Sequence, residues 1–109
     1  MAGSRSDLKA LPAPVLKLFG FGLYLAQIGG KHPQAKPLQG FGSAGVLEIV
    51  EDLRGNTYRA VYTVRFAAAV YVLHVFQKKA KHGAATPKPD QDLIRTRLKD
   101  ARRIEKESR

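Results

Sequence analysis

The stretch N-T-Y-R-A-V-Y-T-V-R-F-A-A-A-V-Y-V-L-H-V-F-Q-K-K-A-K-H-G, Asn56 to Gly83, decides the fold. It holds two runs dense in Val, Tyr, Thr and Phe, Tyr58–Phe66 and Val70–Phe76. Such residues suit a pleated, half-buried surface, so both runs read as strands. Ala67-Ala68-Ala69 reads as a weak turn between them. Lys78, Lys79, Lys81 and His82 then crowd at the end of the second run. A sheet that delivers clustered cations at its end suits a nucleic-acid backbone.

Working outward, Val46–Asp52 reads as a preceding strand, joined to Tyr58–Phe66 by the turn Arg54-Gly55-Asn56. Alternation puts Arg59, Val61, Thr63 and Arg65 on one face, with Tyr58, Ala60, Tyr62 and Val64 on the other. In the next strand Val70, Val72, His74 and Phe76 share a face, opposite Tyr71, Leu73, Val75 and Gln77. Neither strand is cleanly polar on one side, so part of the second face must also be covered. Residues 31–45, with two prolines and three glycines, read as a loop pinned by Leu38 and Phe41. Before it, Val15, Leu18, Phe19, Gly22, Leu23 and Ala26 fall at helical spacing. Pro14 suits the first turn of that helix and Gly29-Gly30 ends it. Gly20 and Gly22 each cost about 1 kcal/mol of helix propensity relative to alanine, tolerable where they permit close packing. Ser6 and Asp7 can cap a short helix before it, reaching Leu11. Thr86-Pro87-Lys88-Pro89-Asp90 opens a last helix, capped by Thr86, with Leu93, Ile94, Leu98 and Ala101 as its apolar stripe. Residues 1–5 and 105–109 are expected to fray.

With 109 residues and a 44% hydrophobic fraction, one domain spanning 1–109 is expected. Lysine and arginine number 19 against 9 acids, a net charge of +10, which fits a partner rich in phosphate or an acidic protein. From Gln77 onward there are 11 basic and 5 acidic residues, so the excess is concentrated in the C-terminal part. The absence of cysteine excludes disulfides and zinc-thiolate sites. The most apolar run, Val15–Ile28, carries Lys17 and Gln27. It falls short of the roughly 20 residues of a membrane span. No leader peptide is evident, and a cytoplasmic location is expected.

Most catalytic classes find no residues here. His32, His74 and His82 are dispersed, with no H-x₃-H pair, so no metal is expected. Every serine lies in a terminus or a loop, without G-x-S-x-G. G-F-G-S-A-G at Gly40–Gly45 precedes a strand, whereas a dinucleotide loop follows one. Metal-free phosphate chemistry remains. RNA can be cut by its own 2′-hydroxyl if a base takes that proton, fixed cations stabilise the phosphorane, and an acid protonates the leaving oxygen. Arg59, Lys78, Lys79, Lys81, His74 and His82 supply these types. Each also has a plainer reading. Arg59 can pair with Glu48 or Asp52, His74 can be a satisfied core histidine, the lysines a solvated run, and Tyr58, Tyr62 and Tyr71 packing residues.

In order and spacing, G-V-L-E-I-V-E-D (Gly45–Asp52), G-N-T-Y-R-A-V-Y (Gly55–Tyr62), V-Y-V-L-H-V-F-Q-K-K (Val70–Lys79) and Thr86-Pro87 resemble the phage-derived, HigB-like branch of the RelE/ParE toxin superfamily. His32–Gly42 and Asp92–Lys99 extend the resemblance across most of the chain. It implies an α+β, RelE-like domain: N-terminal helices packed on an antiparallel sheet of three to four strands, with a C-terminal helix. It implies the toxin of a type II toxin–antitoxin pair, an endoribonuclease cutting mRNA on the ribosome, without a metal or small-molecule cofactor, with a helix-turn-helix antitoxin as partner. The catalytic roles fall on Arg59, Lys78, Lys79 and His74, and RNA binding on Lys81, His82, Arg54 and Arg65. Members commonly begin with a short strand, and no apolar run precedes Leu8, so the sheet is expected to lack that edge. Some branches poison DNA gyrase instead of cutting RNA. A toxin acting by binding, and a basic nucleic-acid-binding module without toxicity or a decayed toxin, are therefore the alternatives.

Overall fold

The computed structural model describes residues 8–41, 45–64, 70–78 and 87–107, with only the backbone of Lys78. A helical turn at Leu8 leads to α1 (Ala13–Gln27). Four strands follow, β1 (Ala35–Pro37), β2 (Val46–Leu53), β3 (Asn56–Thr63) and β4 (Val72–Lys78), and then α2 (Lys88–Glu107). The sheet is antiparallel throughout, in the order β1-β2-β3-β4. This is the α+β arrangement that the sequence implies. The caps assigned to Ser6, Asp7 and Thr86, the Ala67–Ala69 turn, and Arg65, Lys79, Lys81 and His82 lie outside the described residues.

Each helix covers one face of the sheet. Val15 and Phe19 of α1 pack with Ile49, Tyr58, Ala60, Tyr62 and Val75. Ile94, Leu98 and Ala101 of α2 pack with Val46, Val61, Leu73, Leu38 and Phe41 on the other side. That is why neither β3 nor β4 shows a polar face. Pro14 lies in the first turn of α1. The helix ends in a left-handed Gly29 (φ 85°), whose N–H donates to Ala26 O while that of Gly30 donates to Leu25 O. Gly22 faces inward, where a Cβ would overlap Ile49 Cδ1, whereas a Cβ on Gly20 would meet nothing within 4 Å. Only one of the two glycines is therefore explained by packing within the chain.

Three features differ from the sequence-based expectation. First, residues 31–45 are not wholly loop. Ala35–Pro37 forms the edge strand β1, pairing Lys36 with Glu48, and Gln34 Nε2 donates to Val50 O just beyond it. Pro37 lacks an N–H and is tolerated because it sits on an edge. Second, β4 breaks its alternation. Val61 pairs with His74 but Tyr62 pairs with Val72, so Leu73 is an inserted bulge residue. Leu73 and His74 therefore both serve the α2 side, instead of opposite faces. Third, α2 continues through Glu107 where fraying was expected from residue 105. Its inward stripe of Ile94, Leu98 and Ala101 runs on to a buried Glu105, which accepts a hydrogen bond from Tyr71 Oη at 3.2 Å.

β2 and β3 meet through a two-residue turn, with Leu53 paired to Asn56 and both Arg54 (φ 51°) and Gly55 (φ 83°) left-handed. This geometry matches the right-handed strand twist, and asparagine tolerates the first position better than arginine. Arg54→Asn is expected to raise stability by about 1 kcal/mol, a melting-point gain of about 4–8 °C. In urea unfolding, Gly20→Ala should stabilise by about 0.5–1 kcal/mol. Gly22→Ala should destabilise by about 1–3 kcal/mol through overpacking against the fully buried Ile49.

Candidate nucleic-acid interface

The candidate side chains divide between the α2 face of the sheet and one of its ends. Arg59 and Glu48 lie on that face, two residues out of register on neighbouring strands. Arg59 Nη1 donates to Glu48 Oε2 at 3.1 Å, and Lys36 Nζ stands 3.7 Å from Glu48 Oε1. Glu48 and most of Arg59 are buried, while Lys36 is exposed. Of the two carboxylates that the sequence offered Arg59, the structure selects Glu48. Asp52 instead accepts from Thr57 Oγ1 at 2.6 Å. The charge of Arg59 is matched where it stands, and a phosphate would have to displace or join Glu48. Arg59 Nε is also buried and has no partner among the described residues.

His74 is buried too. Its ring stacks on Phe76 with centroids 4.5 Å apart, and its Nε2 lies 2.8 Å from Asp90 Oδ1 in the first turn of α2. An ionised carboxylate only accepts, so Nε2 carries the proton in this contact. Nδ1 is buried without a partner among the described residues. The histidine thus joins β4 to α2. Beside it, Arg97 Nη1 donates to Leu73 O at 2.8 Å and so satisfies the carbonyl of the bulge residue. Sequence reading missed Asp90, Glu105 and Arg97 as partners. Asp90 reads locally as a helix-opening acid, and nothing in its spacing points to residue 74.

The tyrosines are packing residues. Tyr62 is fully buried, and burial pushes its hydroxyl up to about 12, which removes it as a proton carrier near neutrality. Burial, then the hydrogen bond to Glu105 and that carboxylate's charge, also push Tyr71 up.

The end of the sheet is different. Lys78, the last residue of β4, pairs with Thr57, which puts this end of β4 beside the β2–β3 turn that carries Arg54. Gln77 Nε2 donates to Asn56 Oδ1 at 2.9 Å and ties the two segments together. Arg54 and Lys78 are therefore neighbours in topology. β3 ends at Thr63, about 26 Å of strand away from the turn, so Arg65 follows the opposite end. Other cations of the α2 side are engaged. Arg95 lies over the Phe41 ring at 4.6 Å, and Lys88 and Arg103 pair along the helix with Asp92, Asp100 and Glu107.

Removing Glu48 would leave a largely buried guanidinium without its carboxylate. Glu48→Ala is expected to lower stability by about 3 kcal/mol in urea unfolding, whereas the double change Glu48→Leu with Arg59→Met should recover most of it. A double variant as weak as the single one would show that the pair does more than neutralise itself.

No helix among the described residues is long and apolar enough to cross a membrane, and no group of three His, Cys, Asp or Glu among them is placed to hold a metal ion. No curated protein and no solved structure matches the chain. One family does. Residues 6–99 match the family described as phage derived protein Gp49-like (DUF891), which is associated with the RelE group of toxin–antitoxin toxins. That match takes in α1, all four strands and α2 as far as Lys99, and the chain belongs to the phage-derived Gp49-like family.

Proposed function

We propose that this chain is the toxin of a type II toxin–antitoxin pair, acting as a ribosome-dependent, metal-independent mRNA endoribonuclease in the cytoplasm. The family's association with such toxins and the RelE-like element order support the class. The observation that carries the nuclease reading is the path of β4. Its last residue, Lys78, lies beside the turn that carries Arg54, and Lys79, Lys81 and His82 follow it in sequence.

In this reading Lys78 and Lys79 stabilise the charge that develops on the phosphorane, while Arg54, Lys81 and His82 hold the RNA backbone. The 2′-oxygen attacks the adjacent phosphorus as its proton passes to a base. The P–O5′ bond breaks, a 2′,3′-cyclic phosphate forms, and the 5′-oxygen takes up a proton. Crowding of like charges lowers a lysine's pKa and suits a residue of the cluster to proton transfer. Arg59 and His74 serve the site by fixing β3 and β4 through Glu48 and Asp90. The partner that restrains such a toxin is an antitoxin, here of the helix-turn-helix type.

Induction of the chain alone in a bacterium, with the 5′ ends of cellular mRNA mapped, tests this. Translation should stop, with in-frame cuts inside translated messages. Lys78→Ala with Lys79→Ala should reduce cleavage by about 100-fold or more with the fold intact. Full toxicity in that folded variant would overturn the site. DNA damage with intact mRNA would replace the nuclease reading with a gyrase-type inhibitor.

A further inference from the structure

The outward face of α1 is apolar, and nothing in the described chain covers it. Phe21 is 54% exposed, Tyr24 56% and Ile28 63%, and Leu16 is exposed one turn earlier. These positions follow helical spacing, so they form one stripe along the helix. Gly20 lies within it, between Leu16 and Tyr24. A Cβ there would meet nothing within 4 Å, so the stripe contains a notch at its centre. The glycine lowers helix propensity without any packing gain inside the chain. A notch flanked by large apolar side chains is the shape that receives the ridge of a second helix.

Along α1 itself the charge is of one sign. Between Asp7 and Glu48 the sequence has no acidic residue, and Lys9, Lys17 and Lys31 are exposed along or beside α1. Two copies of this chain would set these lysines against each other, which disfavours self-association through this face. An acidic partner meets no such repulsion. The stripe also lies across the sheet from Arg59, His74 and α2, and it shares no residue with the proposed nuclease site.

We propose that the Leu16–Gly20–Phe21–Tyr24–Ile28 face of α1 is a docking groove for an amphipathic helix of an acidic protein. Apolar side chains of that helix fill the groove at Gly20, and flanking carboxylates pair with Lys17 and Lys31. The surface stands on the geometry above. Only the partner's identity, as the antitoxin, rests on the toxin reading.

The test uses the full chain and the small protein encoded beside it, mixed as purified proteins and titrated by calorimetry. Tyr24→Glu with Ile28→Glu changes two exposed positions and should weaken binding at least 100-fold. Lys17→Glu should weaken it about 10-fold and flatten its salt dependence. Gly20→Ala should bind about 10-fold less tightly although it folds more stably. In cells, the Tyr24→Glu/Ile28→Glu variant should stay as toxic as the parent but escape neutralisation by the neighbouring protein. Unchanged binding and neutralisation in that variant would overturn the proposal. So would binding of the parent chain to vesicles of anionic phospholipid, or its dimerisation by sedimentation, if the same substitutions abolish either. A chain that is not toxic, yet binds the neighbouring protein through this face, would defeat the functional reading and leave the docking surface standing.

Discussion

A carboxylate on an inner strand, in a sheet with a helix on each side, has to be neutralised where it sits. Glu48 is that group, 4% exposed on β2. An isolated buried carboxylate would cost several kcal/mol, so its partners are a condition of the fold. Arg59 reaches it from β3 and Lys36 from β1, which joins three of the four strands through one side chain. A one-residue slip of β3 would move Arg59 to the α1 face, among Phe19 and Ile49, and turn Tyr58, Ala60 and Tyr62 out of their core. Ion pair and hydrophobic pattern thus specify the same register.

The α2 side depends on a second group of polar contacts. The Leu73 bulge lets two successive residues of β4 serve that side, Leu73 in the core and His74 on Asp90. Arg97 satisfies the carbonyl that the bulge displaces, and Tyr71 holds the far end of the helix through Glu105. These contacts place α2 along β4, the strand whose end carries the cations.

The net charge of +10 is distributed unevenly in what it is free to do. On the α2 side several cations already have local partners: Arg59 a carboxylate, Arg95 a ring, Arg97 a carbonyl, Lys88 and Arg103 helix acids. Along α1 itself the sequence carries lysines and no acid.

Much of the fold was legible in the residues themselves. Val46–Asp52 and the dense Val/Tyr runs marked β2, β3 and β4, and Gly29-Gly30 ended α1, because strand-forming side chains and left-handed glycines act over a few residues. What tertiary structure decided depended on groups far apart in sequence. Ala35–Pro37 became a strand only because β2 offered an unpaired edge, against the local signal of its prolines. The bulge at Leu73 arose from fitting β4 to both β3 and α2, which no alternation within β4 encodes. Whether Arg59 and His74 faced solvent or a carboxylate depended on Glu48, eleven residues away, and Asp90, sixteen away, and only the packed sheet brought them within hydrogen-bonding distance.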